Sequence, residues 1–432
     1  MNHLLQACFI SVLVFFSIHG KTQGLNTSMT QYWSGKSKAK LIKDIESKGY
    51  SLGDIKDALR KGRSYPSKVK KGFYLLNQND KKLPPHALVF IPFNYDPGKK
   101  YPIRIFFHGA VSNLDPQSLF KSYVDTTSTA YKDMQSILIF PTAWLFAPWW
   151  NPIQFENVNR LLRLVKQNYN VDENRIRLLG ISDGGTGCFY LSNCDVTPWS
   201  CITPFIGSLA VLNVLGPRQV YMSNFINKPY LIVNTGKDNI FPKKDQLPYL
   251  NLLTTINKNA FVIWVDSAGH SMRWLNVLRD SINSFADHHQ REPYPKKIIW
   301  HTDNPGLYGR NHFLQINAIG KTKSNGDISD PNSIIDSSGK NKLAFKRDSI
   351  AGAIKIERED NTFLFQSSGV KKFTLLLSSD FVDFQKPITV FVNEKKSFEG
   401  IVKPDAKTLL KWNLKDDDRS MLFEAELSLK VN

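Results

Sequence analysis

The sequence predicts an α/β fold, a mostly parallel sheet flanked by helices, followed by an all-β unit of sandwich type. Three observations predict it. Short runs rich in Ile, Val, Leu and Phe recur between residues 73 and 265, several of them apolar on both faces as buried parallel strands are. Helical segments separate the later runs, and that alternation implies a parallel sheet covered on both sides. Near residue 295 the pattern changes, and strand-like runs then follow one another without long helices.

Taken in order, residues 1–24 read as an export signal, with an apolar run from Leu4 to Ile18 broken by Gln6, Ser11 and Ser17. At about 1.5 Å per residue the run is too short to span a bilayer. Cleavage fits after Gly20 or Gly24, although no Lys or Arg precedes the run. The expected protein is secreted or periplasmic, without a transmembrane anchor. Residues 25–70 form a helical prelude, with helical spacing from Lys38 to Lys48 and from Ser51 to Arg60.

The α/β unit is expected over residues 71–294. Its candidate strands are Phe73 to Leu76, Ala87 to Ile91, Ile103 to Phe107, Ile137 to Phe140, Ile176 to Leu179, Ile206 to Val211, Leu231 to Asn234 and Phe261 to Val265. The first two lack an intervening helix and should pair antiparallel. The clearest helix is Ile153 to Tyr169, with Val158, Leu161, Leu162 and Val165 along one face and Asn151 near its start. The β unit is expected over residues 295–432, with strands at Ile298 to His301, His312 to Ile316, Ala353 to Ile356, Phe373 to Leu377, Ile388 to Val392 and Leu422 to Leu429.

Bulk composition fits this plan. At 432 residues the chain exceeds the roughly 300 at which one core stops growing, so two packed units are expected. The formal charge is +18, but the lysines come as scattered pairs such as Lys70-Lys71 and Lys243-Lys244. That is a solvated basic exterior and not a nucleic-acid stripe. Cys8 would leave with the signal. Cys188, Cys194 and Cys201 remain: export permits a disulfide, Cys194–Cys201 is the pair most easily closed, and Cys188 reads as a core residue. No spacing suggests zinc, and the chemistry below calls for no cofactor.

The most informative stretch is Gly180-Ile181-Ser182-Asp183-Gly184-Gly185, between a buried strand and a helical segment. A serine on a tight strand-to-helix turn is a nucleophile elbow, with small neighbours because the backbone is crowded. A hydroxyl needs a base, and the base needs an orienting acid. Asp238 follows the strand Leu231 to Asn234, and His270 follows Phe261 to Val265, giving the hydrolase order Ser, Asp, His. Asp266 is the alternative acid. Loops at the carboxyl ends of parallel strands gather at one sheet edge, so the three can meet.

Oxyanion donors are expected at the amide of Asp183 and at Ala110, in Phe107-His108-Gly109-Ala110. Gly109 would let the loop turn its amides toward the site, and His108 would pack the loop. Trp144, Phe146, Trp149 and Trp150 follow the strand Ile137 to Phe140 and form either a substrate shelf or core. His288 and His289 suit a helix C-terminus.

With these residues assembled, the chain resembles the secreted bacterial esterases of the α/β-hydrolase superfamily, near the polyhydroxybutyrate-depolymerase, feruloyl-esterase-like and phospholipase/carboxylesterase-type groups. The likeness rests on Tyr101-Pro102, His108-Gly109, Pro148-Trp149-Trp150, Asp172-Glu173-Asn174-Arg175, Gly180 to Gly185, Gly236 to Asp238 and Gly269-His270. Ala110 departs from it, since many members place a further glycine there. The tail with Ile299-Trp300-His301-Thr302 looks like the β extension of some bacterial members. The resemblance implies the machinery of a serine esterase acting through an acyl-enzyme on Ser182 and leaves the substrate open; export, the aromatic cluster and the β unit suit polysaccharide decorations or another extracellular polymer. A serine peptidase shares the triad. A binding protein that keeps only the fold would have been free to lose one of Ser182, Asp238 and His270.

Overall fold

The computed structural model describes residues 24–34, 38–77, 86–112, 131–216, 219–322, 326, 328–347 and 350–431. Apart from Gly24, the expected export signal lies outside these residues. Helices α1 (24–33), α2 (Lys38–Ser47) and α3 (Leu52–Lys61) come first. The hydroxyl of Ser51 accepts from the amide of Asp54 and starts α3.

The main sheet has eight strands. β1 (Gly72–Asn77) and β2 (His86–Ile91) pair antiparallel, as does β2 with the strand Ile137–Pro141. With β3 (Tyr101–Phe107) and that strand as β4, all further pairings are parallel, through β5 (Val171–Ile181), β6 (Ile202–Phe205), β7 (Tyr230–Thr235) and β8 (Ala260–Val265). The order is β1-β2-β4-β3-β5-β6-β7-β8. Helices α4 (Pro152–Asn168), α5 (Asp183–Cys194), α6 (Leu209–Leu215) and α7 (Lys243–Ile256) bury their apolar faces on one side of the sheet. Helix α8 (Leu275–His288) covers the other, packing on Leu179, Phe205, Leu231 and Val233. Asn151 caps α4 as its position suggests, accepting from the amide of Ile153.

One expected strand is misplaced. The run Ile206 to Val211 is a turn and the start of α6, and the strand lies earlier, at β6. Periodicity cannot separate a short buried strand from a buried helix. The deciding contacts are local and tertiary: the Ser208 hydroxyl accepts from the amide of Val211, and Gly207 lies against Gly185 of α5. Cys188, Cys194 and Cys201 are buried thiols outside any disulfide, so no Cys194–Cys201 bridge forms. No described helix is long and apolar enough to cross a membrane.

The chain continues as β9 (Lys297–Thr302), β10 (Arg310–Asn311), β11 (Leu314–Ile319), β12 (Ser333–Ile335), β13 (Asn341–Leu343), β14 (Gly352–Glu359), β15 (Thr362–Ser368), β16 (Val370–Leu377), β17 (Ile388–Val392), β18 (Lys395–Gly400) and β19 (Ala425–Lys430). Two sheets, β18-β17-β15-β14-β9 and β10-β11-β16-β19, enclose one core around Trp300, Phe363, Phe373 and Leu375. The region is not all-β. Helix α9 (Ala406–Asp416), with Asp405 at its N-cap, packs Leu409 and Leu410 against Leu25, Met29, Tyr32 and Ile55 of the first helices. The expected helical prelude therefore shares its core with the tail.

The edge strand β9 is closed from the other unit. The side chain of Asn224 exchanges two hydrogen bonds with the backbone of His301, and that of Asn227 does the same with Ile299. Both asparagines lie on the 3-10 helix Met222–Asn227. Three residues of such a helix rise about 6 Å, close to the roughly 6.6 Å between alternate strand residues, so the spacing matches.

Candidate functional site

The site begins with a crowded turn. β5 ends at Ile181 and α5 starts at Asp183, which leaves Ser182 at φ 57°, ψ −120°. Positive φ is costly for any residue with a Cβ, and it turns the hydroxyl out of the sheet. The glycines make room. A Cβ on Gly180 would sit 2.2 Å from the carbonyl oxygen of Gly184, and one on Gly184 would sit 2.1 Å from that of Phe107.

Two later loops meet this serine. The Oγ of Ser182 lies 2.8 Å from Nε2 of His270, and Nδ1 of His270 lies 2.7 Å from Oδ2 of Asp238. The other oxygen of Asp238 accepts from the amides of Ile240 and Phe241, at 2.9 and 2.8 Å. A buried carboxylate so held accepts the Nδ1–H of His270 and leaves Nε2 as the acceptor facing Ser182. The ring of Phe241 stands edge-on to the imidazole at 5.5 Å. Asp266, the alternative acid, is instead exposed and pairs with Lys243 at 2.7 Å.

The third loop follows β3. Among the described residues, the amides of Ala110 and Asp183 donate to no protein acceptor. Asp183 is the first residue of α5, where amides have no intrahelical partner. Its carboxylate accepts from the amide of Val111 at 3.0 Å and ties the β3 loop to the elbow, a link the sequence reading missed. The expected role of Gly109 needs correction. Positive φ falls on Ala110, at 56°, while Gly109 supplies clearance, since a Cβ there would lie 3.0 Å from that of Ser182.

His108 packs the loop from beneath. Its Nδ1 donates to the carbonyl of Gly109 and its Nε2 accepts from the amide of Ala143. Burial pushes its pKa below the ordinary histidine value, which keeps the ring neutral. Two of the expected shelf residues belong to the core. Trp149 is fully buried, stacks on Phe107 at 4.1 Å and donates its indole N–H to the carbonyl of His108; Trp150 is buried beside it. Leu145 and Phe146 are exposed on the same loop, and Trp144 is half-buried.

Strand order, crossover helices and the serine turn together make this the α/β-hydrolase fold. No family model and no curated protein matches the chain. Several solved structures do. A thermostable esterase is 17% identical with a TM-score of 0.41, over 51% of this chain and 63% of that one. The chain thus spans less than two thirds of that esterase's length. A ferulic acid esterase from the anaerobic fungus Anaeromyces mucronatus is 17% identical with a TM-score of 0.39, over 52% and 94%. A fluorophosphonate-binding serine hydrolase from Staphylococcus aureus is 14% identical with a TM-score of 0.40, over 50% and 99%.

Proposed function

We propose that the protein is a serine hydrolase that cleaves carboxylic esters through an acyl-enzyme on Ser182. The observation that carries this reading is the continuous line Ser182 Oγ, His270 Nε2, His270 Nδ1, Asp238 Oδ2, with 2.8 and 2.7 Å contacts on a turn that exposes the hydroxyl. His270 takes the hydroxyl proton as Oγ attacks the ester carbonyl, and the carbonyl oxygen gains the negative charge. The amides of Ala110 and Asp183 receive that charge, assisted by the N-terminus of α5. The protonated imidazole then gives its proton to the departing alcohol. Water attacks the acyl-enzyme by the same steps in reverse order of groups, releasing the acid and restoring Ser182.

The substrate is an ester carried on a polysaccharide or another polymer outside the cell. The apolar run in residues 1–24 supports export, and Leu145 and Phe146, exposed after β4, support contact with a large or apolar substrate. Hydrolysis of p-nitrophenyl acetate by the full chain tests the chemistry, and its loss in Ser182→Ala ties it to this site. Acetyl, feruloyl, long-chain acyl and peptide substrates then sort the acyl preference. A chain that turns over none of them despite correct folding overturns the reading, and one that cleaves only the peptide makes it a peptidase.

A further inference from the structure

On the α8 side of the sheet, away from the serine turn, Arg104 of β3 and Arg177 of β5 stand directly beside each other in parallel register. Side chains of adjacent in-register residues share a face, so two guanidinium groups lie together over the sheet. Neither forms an ion pair with a carboxylate among the described residues. The Nε of Arg104 donates to the Ser136 hydroxyl at 3.1 Å, and Nη2 of Arg177 donates to Oδ1 of Asn283 at 3.1 Å. Arg177 is 5% exposed, and its buried Nη1 has no hydrogen-bond partner among the described residues. Burial first, and Arg177 second, push the pKa of Arg104 down to about 9. Asp287 attracts both guanidinium groups but forms no ion pair with either among the described residues, so the charge of the buried Arg177 beside Arg104 is only partly offset, at a cost to folding.

Both arginines line a cavity of about 920 Å³, near the upper end of the range usual for small-molecule sites. Lys99, Lys100 and Arg279 add positive charge, and Asp133 and Asp287 are the carboxylates among the described lining residues. Phe106, Leu138, Phe140 and Leu179 give it an apolar stretch of wall. We infer that this cavity is a second binding site, for an amphiphilic oxyanion whose head lies between Arg104 and Arg177 and whose apolar tail lies along the phenylalanines. A planar guanidinium fork suits a carboxylate or a phosphate head. The site is separate from the proposed hydrolase chemistry and does not depend on it.

Calorimetric titration of the full chain with laurate, monododecyl phosphate and dodecanol tests the inference, in the Ser182→Ala background so that no turnover enters. Laurate or the phosphate is expected to bind once per chain, and the tighter of the two identifies the head; dodecanol is expected to bind at least about tenfold more weakly. Arg177→Met and Arg104→Met should each weaken binding about tenfold or more. Arg177→Met should also raise the melting temperature of the unliganded chain, because it removes a buried charge that is only partly compensated. With Ser182 present, Arg177→Met should hydrolyse p-nitrophenyl acetate at the unaltered rate, which separates this site from the hydrolase reading. Equal affinity for dodecanol, undiminished laurate binding in both variants, or binding of neither anion overturns the inference. Should Arg177→Met fail to fold, that result counts against it as well, since it makes the arginine a structural support.

Discussion

The seam between the two units and the carboxyl edge of the main sheet both bury charged side chains, and they differ in what is left unbonded around them. At the seam between the α/β unit and the tail, every nitrogen of the Arg291 guanidinium is bonded: to both oxygens of Asp418 at 2.6 and 3.0 Å, to Asn174 and to the carbonyl of Thr197. Arg419 reaches back likewise to Glu173, Asn170 and the carbonyl of Val171. None of Arg291, Asp418, Arg419 and Glu173 has a positive φ. At the carboxyl edge of the sheet, the acid is equally well held, but Ser182 stands at φ 57° with its hydroxyl turned outward and, beside it, two amides that bond no acceptor among the described residues. A saturated network has nothing left to offer a substrate. A site keeps its support shell complete and its reacting atoms incomplete.

That contrast sets the scale of the expected effects. Ser182→Ala should lower kcat by about 10⁶ while changing the melting temperature little, and adding His270→Ala should cost almost nothing further, because members of one catalytic unit do not add. Residual turnover within tenfold of the parent would move the chemistry elsewhere. Asp238→Asn should cost about 10⁴ in kcat by misorienting the imidazole. Asp266→Asn, which removes only an exposed pair with Lys243, should leave kcat within about twofold. The reverse ranking would replace the acid.

At the seam the readout is stability, not rate. Asp418→Ala leaves the Arg291 guanidinium buried without its counter-ion and should destabilise the fold by about 3–5 kcal/mol, with kcat per folded molecule unchanged. A chain ending at Glu292 lacks Asp418, Arg419 and the strands that cover this face, so it should aggregate or lose cooperative unfolding. A soluble, fully active truncation would show that the two units fold independently.

The seam also carries a pH signature. Burial alone would raise the pKa of Asp418, but the neighbouring Arg291, with Lys166, outweighs it and holds the carboxyl down at about 2, below its ordinary value near 3.9. A depressed carboxyl pKa contributes stability that is fully present above pH ~4 and is lost as pH falls through ~2. Urea unfolding between pH 5 and 2 should therefore steepen in the parent and flatten in Asp418→Asn. The smallest effect belongs to the oxyanion loop. Ala110→Gly relieves a positive φ and should stabilise by about 0.5–1 kcal/mol with kcat nearly intact. A large drop in kcat would mean that the alanine methyl itself positions the amide.

Much of this architecture could be read from local pattern. Buried strands, the capped helix behind Asn151 and the Gly-Ile-Ser-Asp-Gly turn are set by residues close together in sequence, since periodicity, capping and steric crowding act over a few positions. So is the placement of Ser182, Asp238 and His270 at strand ends, because chain order in a parallel sheet dictates one common edge. What local pattern could not supply was partner identity. Whether Asp238 or Asp266 meets His270 depends on the path of one loop, and whether Trp149 faces a ligand or Phe107 depends on packing. Helix α9 was hidden among strands, although Asp405 and the Leu409, Leu410, Trp412 spacing were available to mark it. Its partners in α1 and α3 lie more than 300 residues away. The same holds for Glu173 and Asn174, whose binding of Arg419 and Arg291 unites distant segments. Burial decides which charges are paired, and burial is a property of the whole fold, so these assignments belonged to the tertiary structure alone.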